Sequence, residues 1–227
     1  NRDPSFSPIL STTATTFVRA GEAFTDEVLF ATSGTAPWAN SAAGFMPITA
    51  TGTVYGPFDS QPSESATVPA GAPVAGTASV TTGVEGPDVP YQAVADSTAD
   101  APGYYTWVWN ISASAQTTIA QRFLPPNYSF TDAFGLVAET SIVPSVMTAV
   151  SQITEPEIPL SGLSNDAIAV SANGPWTQVG GSNIPVTFTG TAYFVPGATA
   201  PARQAASAPL PAGTVELGST SLVVTEP

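Results

Sequence analysis

The chain has no cysteine, no histidine and no lysine, and charged residues of any kind fill only 9% of its 227 positions. Each absence closes off a class of chemistry. Without cysteine there is no disulfide framework, no thiolate metal site and no thiol nucleophile. Without histidine, the commonest general base near neutral pH and the commonest metal ligand are both missing, and Ser-His-Asp catalysis goes with them. The missing lysine removes the amine that a Lys–Asn or Lys–Asp isopeptide crosslink would need. Four basic residues stand against 17 acidic ones, a net charge of −13. That balance argues against nucleic acid and acidic membrane surfaces, because phosphate binding draws on clustered basic side chains. No apolar run approaches the roughly 18 residues of a membrane helix, and Asn1-Arg2-Asp3-Pro4 carries no signal-peptide pattern. The expectation is a chain with no enzymatic activity, no cofactor, no metal, no nucleic-acid partner and no membrane insertion.

What is present points to strands. Hydrophobic residues make up 43% of the chain, alongside 23 prolines and 19 glycines. Ser and Thr compete for backbone partners, and Pro and Gly break helical runs, so this mixture favours short strands joined by turns over helices.

The second part of the chain repeats landmarks of the first at an offset of about 140 residues, the signature of tandem units. Phe24-Thr25-Asp26-Glu27-Val28-Leu29-Phe30 is echoed by Leu163-Ser164-Asn165-Asp166-Ala167-Ile168-Ala169-Val170, and Pro37-Trp38 by Pro175-Trp176. Ile48-Thr49-Ala50-Thr51-Gly52-Thr53-Val54-Tyr55 returns as Val186-Thr187-Phe188-Thr189-Gly190-Thr191-Ala192-Tyr193, an alternating strand with the same interior Gly-Thr pair. Val68-Pro69-Ala70-Gly71 answers to Leu210-Pro211-Ala212-Gly213. The first copy continues through Gly103-Tyr104-Tyr105-Thr106-Trp107-Val108-Trp109-Asn110-Ile111 and then Asp132-Ala133-Phe134-Gly135 to Glu139-Thr140, and the second has neither element. The fold class expected is all-β: tandem immunoglobulin-like β-sandwiches, with residues 1–144 a complete domain and 145–227 a second copy incomplete at its C-terminus. A sandwich without its closing strands exposes a sheet edge, so further chain or another molecule would have to cover it.

Candidate chemistry is sparse. Asp26 and Asp166 occupy equivalent places, and the plain reading of each is a carboxylate capping a turn at a strand start. In the aromatic segment, Tyr105, Trp107 and Trp109 share one face while Tyr104, Thr106 and Val108 share the other. One of those stripes is expected to fill the core.

With these landmarks, the chain resembles the tandem immunoglobulin-like repeat domains of wall-anchored Gram-positive, especially actinobacterial, surface adhesins. The residues that carry the resemblance are Ser11-Thr12-Thr13-Ala14, Thr25-Asp26-Glu27-Val28, Gly52-Thr53-Val54-Tyr55, the aromatic segment from Gly103 to Trp109, Asp132-Ala133-Phe134-Gly135 and Ala138-Glu139-Thr140. It is more distantly similar to adhesin stalk domains that join a Thr of the first strand to a Gln of the last by a self-formed ester. That resemblance implies Thr12 or Thr13 at the nucleophile position and Asp26 as the assisting acid. Glu139 stands where the family has Gln, and no His is present. Thr148 is the implied nucleophile of the second copy.

The function this implies is a non-catalytic structural stalk at the cell surface, anchored to the wall through a region outside this chain, with further repeats of the same protein as partners. Three alternatives stay open: a module binding a host or environmental protein or glycan, a self-assembling subunit completed by strand donation, and an accessory domain of a secreted enzyme.

Overall fold

The structure, a computed structural model, describes residues 5–155, 157–197 and 199–226. It is nearly all-β, 49% strand against 5% helix, with several antiparallel sheets. The chain falls into two compact units: the residues up to Val146 together with Ala172–Gly181, and Met147–Ser171 together with the stretch from Ser182 onward.

In chain order the first unit contains β1 (Ser7–Ala14), β2 (Ala23–Ser33), the short β3 (Asn40–Ser41) and β4 (Gly44–Phe45), β5 (Thr49–Phe58), β6 (Val74–Thr81), β7 (Pro90–Thr98), β8 (Gly103–Ser112), β9 (Ser129–Thr131) and β10 (Thr140–Val143). One sheet has the order β1-β2-β7; the other runs β10-β8-β5-β6, with β9 also on β8. The period-2 patterns do what alternation requires. Leu10, Thr12 and Ala14 of β1 and Phe24, Asp26, Val28 and Phe30 of β2 face inward, and Ala50 and Val54 of β5 meet them from the second sheet. Residues of both sheets join a single core.

β8 departs from alternation: every residue from Gly103 to Trp109 is buried. Tyr105, Trp107 and Trp109 enter the core, with the two Trp rings stacked at 5.4 Å. The opposite stripe is covered too. Tyr104 Oη accepts from the Gln178 amide at 2.8 Å and donates to the Gln178 carbonyl at 3.2 Å. Ala172–Gly181, which the sequence places in the second copy, thus packs with the first unit, and Trp176 within it is buried.

The two ends of the first unit meet. Just after β1, Phe17 bridges Ile142 of β10 in parallel. The Val18 amide donates to the Ile142 carbonyl at 3.0 Å, the Ile142 amide to the Thr16 carbonyl at 2.6 Å, and Ser141 Oγ to the Thr15 carbonyl at 2.7 Å.

The second unit has β11 (Met147–Ile153) paired with β12 (Asp166–Ala172), and β15 (Val186–Phe194) paired with β16 (Val215–Val224); the short β13 (Gln178–Val179) and β14 (Ser182–Asn183) lie between them in sequence. The β15–β16 hairpin reproduces β5–β6 in register. Gly190 faces Thr220 as Gly52 faces Ala78, and Ala192 faces Gly218 as Val54 faces Gly76. The ladder shifts after Ala192 in one and after Val54 in the other, equivalent positions. None of the second unit's described residues is buried.

Candidate functional site

Four side chains from separate parts of the sequence converge inside the first unit: Thr12 from β1, Asp26 from β2, Asp132 just after β9, and Glu139 on the single turn that leads into β10. Thr12, Asp26 and Glu139 are 7%, 1% and 2% exposed, a burial that acidic residues rarely reach without partners. Strand alternation decides between the two threonines. Thr12 faces the core opposite Val28, whereas Thr13 points outward opposite Glu27.

Trp109 holds two of the acids in place. Its indole Nε1 donates to Asp26 Oδ2 at 2.7 Å and its backbone amide to Asp132 Oδ1 at 2.7 Å, while the Asp132 amide returns a bond to the Trp109 carbonyl at 3.1 Å. The turn bearing Glu139 is fixed separately. Gly135 sits at φ 81°, and a side chain there would come within 2.6 Å of the Ser63 carbonyl, so the Asp-Ala-Phe-Gly run needs its glycine. Gln61 Nε2 donates to the Gly135 carbonyl and to Thr140 Oγ1, which in turn donates to the Leu136 carbonyl.

Asp26 Oδ1, Asp132 Oδ2, Glu139 Oε2 and Thr12 Oγ1 are buried with no partner at full hydrogen-bond geometry and lie near one another, Thr12 beside Asp26 and Glu139, and Glu139 beside Asp132. Such groups favour their uncharged forms, because a desolvated, unpaired carboxylate is costly. Burial pushes Asp26 up to about 6, against the pull of the Trp109 indole and the nearby Thr12 hydroxyl. Burial likewise lifts Asp132 to about 6, opposed first by the Trp109 amide. Glu139 rises furthest, to about 9, from burial and then from the like charge of Asp132. At neutral pH Glu139 therefore carries a proton.

Surface hollows lined by Thr51, Thr53, Thr77 and Asp96, and by Trp38, Phe45 and Phe123, include none of the four residues. Among the described residues no group of three or more acidic side chains is arranged to hold a metal ion, and no helix is long and apolar enough to cross a membrane. What the cluster offers is a buried hydroxyl, a buried neutral carboxyl and a second buried acid, with the half-buried Asp132 beside them, between the first strand and the closing segment.

Of the residues implied by resemblance, the structure brings Thr12, Asp26 and Glu139 together and leaves Thr13 outside. Asp26 lies within a strand rather than capping a turn. Asp132 and Trp109 complete the cluster; sequence reading gave them no role there, although Asp132 opens the Asp-Ala-Phe-Gly landmark. In the second unit Thr148 instead bonds the Ser171 hydroxyl at 2.8 Å. Hydrogen bonds from the Asn173 amide to the Val146 carbonyl and from the Thr154 amide to the Asn165 carbonyl set a register in which Ser151 faces Ile168, the place that Thr12 holds against Val28. Asp166 there is exposed.

Comparison with known proteins finds no family model, no curated protein and no solved structure that matches the chain.

Proposed function

We propose that the chain is part of a non-catalytic, load-bearing stalk of an extracellular bacterial surface adhesin, built from immunoglobulin-like β-sandwich repeats. The observation that carries this reading is the seam between residues 15–18 and β10. Those segments are parallel neighbours at the two ends of the first unit. Force entering before β1 and leaving after β10 pulls them past each other, so their hydrogen bonds are loaded side by side instead of being opened one at a time.

The buried cluster lies beside the same seam, with Thr12 on one side and Glu139 on the other. It acts as a clamp whose protons match its desolvation. The composition supports an exposed, non-catalytic role: a polar surface rich in short side chains, no His, no Cys and no Lys. Surface location, wall attachment and neighbouring repeats belong to this proposal.

The resemblance adds a covalent form of the clamp. Thr12 Oγ1 would attack the carboxyl carbon of the protonated Glu139, Asp26 would take the hydroxyl proton, and the Glu139 hydroxyl would leave as water once protonated, giving an ester between the first strand and the closing turn. Mechanical unfolding of the chain pulled by its ends tests the load-bearing reading. A glycan and matrix-protein binding array tests the ligand-binding alternative, and hits mapping to loops of the first unit would overturn the stalk.

A further inference from the structure

The free edge of β15 carries a vacant imprint of a specific strand. In the first unit β5 is flanked by β6 on one side and β8 on the other. Gly52 stands directly opposite Trp109 across the β5–β8 ladder, and a methyl group at Gly52 would lie 2.6 Å from the Trp109 indole. The glycine is there because the ring occupies the side-chain space. In the second unit β15 pairs with β16 alone among the described residues. Gly190 holds the Gly52 position of that hairpin, by the same register and the same bulge. A methyl group at Gly190 meets only Thr220 Cγ2, at 4.0 Å. The space that the ring fills in the first unit is open at Gly190.

Other residues of the same face agree. Leu222, opposite Phe188, is 40% exposed, whereas its counterpart Val80, opposite Ala50, is 7% exposed. Asp166 is the counterpart of Asp26, which in the first unit accepts the Trp109 indole. An isolated two-stranded ribbon with an apolar face is marginal in water, and an unpaired strand edge is a template for another strand.

We propose that β15 accepts an antiparallel peptide strand of the β8 type, with alternate inward aromatic residues, a tryptophan seated opposite Gly190 and its indole directed to Asp166. The occupant is a segment of a separate polypeptide that carries that pattern. A folded second copy does not supply it from the first unit, where β8 is buried along its length. This inference is independent of the load-bearing reading, which rests on the first unit.

The test adds a synthetic peptide with the sequence of Gly103–Ser112, carrying charged flanks for solubility, to the intact 1–227 chain. Binding is read by fluorescence anisotropy and by amide chemical shifts along β15. Saturable binding is expected, with the largest shifts at Gly190 and neighbouring β15 residues. The Gly190→Val variant, which puts a strand-compatible side chain where the indole would sit, is expected to weaken binding at least about tenfold, as expected for losing a buried aromatic contact. The peptide with Trp109 replaced by alanine is expected to fail. Equal binding to Gly190→Val would overturn the proposal, as would shifts confined to the first unit. Absence of binding by the intact peptide, or self-association of the chain that covers β15, would overturn it too.

Discussion

The indole of Trp109 and the carboxyl of Asp26 are joined at 2.7 Å across 83 residues of sequence, tying the middle of one sheet to the middle of the other. The same tryptophan reaches Asp132 through its backbone amide. A single residue therefore organises two acids of the buried cluster, and its ring lies where Gly52 leaves room.

Losing that bond should be felt as an orphaned acid. Trp109→Phe removes the donor and leaves Asp26 Oδ2 without its indole partner, and should cost about 2–4 kcal/mol from the lost bond and the smaller ring. Asp26→Asn keeps the shape and removes the charge, so it should cost less. Chemical denaturation of the two single variants and the double variant gives their coupling energy, expected to reach about 1 kcal/mol or more for a direct contact. Additive effects would mean the bond is energetically idle.

The two equivalent glycines should respond oppositely to the same substitution. Gly52→Ala drives a methyl into the Trp109 ring and should destabilise the first unit by about 1–3 kcal/mol. Gly190→Ala meets open space in a strand, where losing glycine's flexibility helps, so its effect should fall within about 0.5 kcal/mol of zero or be stabilising. Thermal melts of both variants decide this.

Stability of the first unit should fall as pH rises. Each of the three acids has a folded pKa above its unfolded one, so between those values the folded state holds a proton that the unfolded state has released. Asp26 and Asp132, raised from 3.8 to about 6, contribute a decline in the acid range. Glu139, raised from 4.5 to about 9, extends it into mildly alkaline solution. Between about pH 6 and about pH 9 the loss should be on the order of 4 kcal/mol, or roughly 8–16 °C in melting temperature. Glu139→Gln, which cannot ionise, should flatten this upper part of the profile. A wild-type melting temperature that rises with pH would contradict the burial assigned to Glu139.

Intact mass addresses the covalent form of the clamp. The ester makes the folded chain lighter by one water and yields a proteolytic fragment linking Thr12 to Glu139. The full sequence mass would remove the ester and leave the clamp to hydrogen bonds and packing.

The strands were legible in the residues because β1, β2 and β5 obey a period of two, but Thr12 and Thr13 stood as alternatives and Asp26 read as a turn cap until the folded register put Thr12 and Asp26 on the inner face. Gly52 and Gly190 showed the repeat, since a glycine inside a strand pattern marks a close approach. The covered outer stripe of β8 was hidden, because Gln178 reaches Tyr104 from far along the chain. The cluster was hidden for a related reason. Asp26, Asp132 and Glu139 are scattered in sequence, and each alone reads as a turn residue or a solvated charge. Only the crossing of the closing segment over β1 places them together, and no local pattern encodes that crossing.

The central claim is that the seam between residues 15–18 and β10, with the buried cluster beside it, makes the first unit bear load. Single-molecule pulling of the chain by its ends tests it most directly, with Thr12→Val and Glu139→Ala variants measured beside the wild type. The account predicts that the first unit unfolds last and at distinctly higher force than the second, and that both variants lower that force. A first unit that yields at or below the force of the second, or one whose resistance is unchanged in both variants, would contradict it.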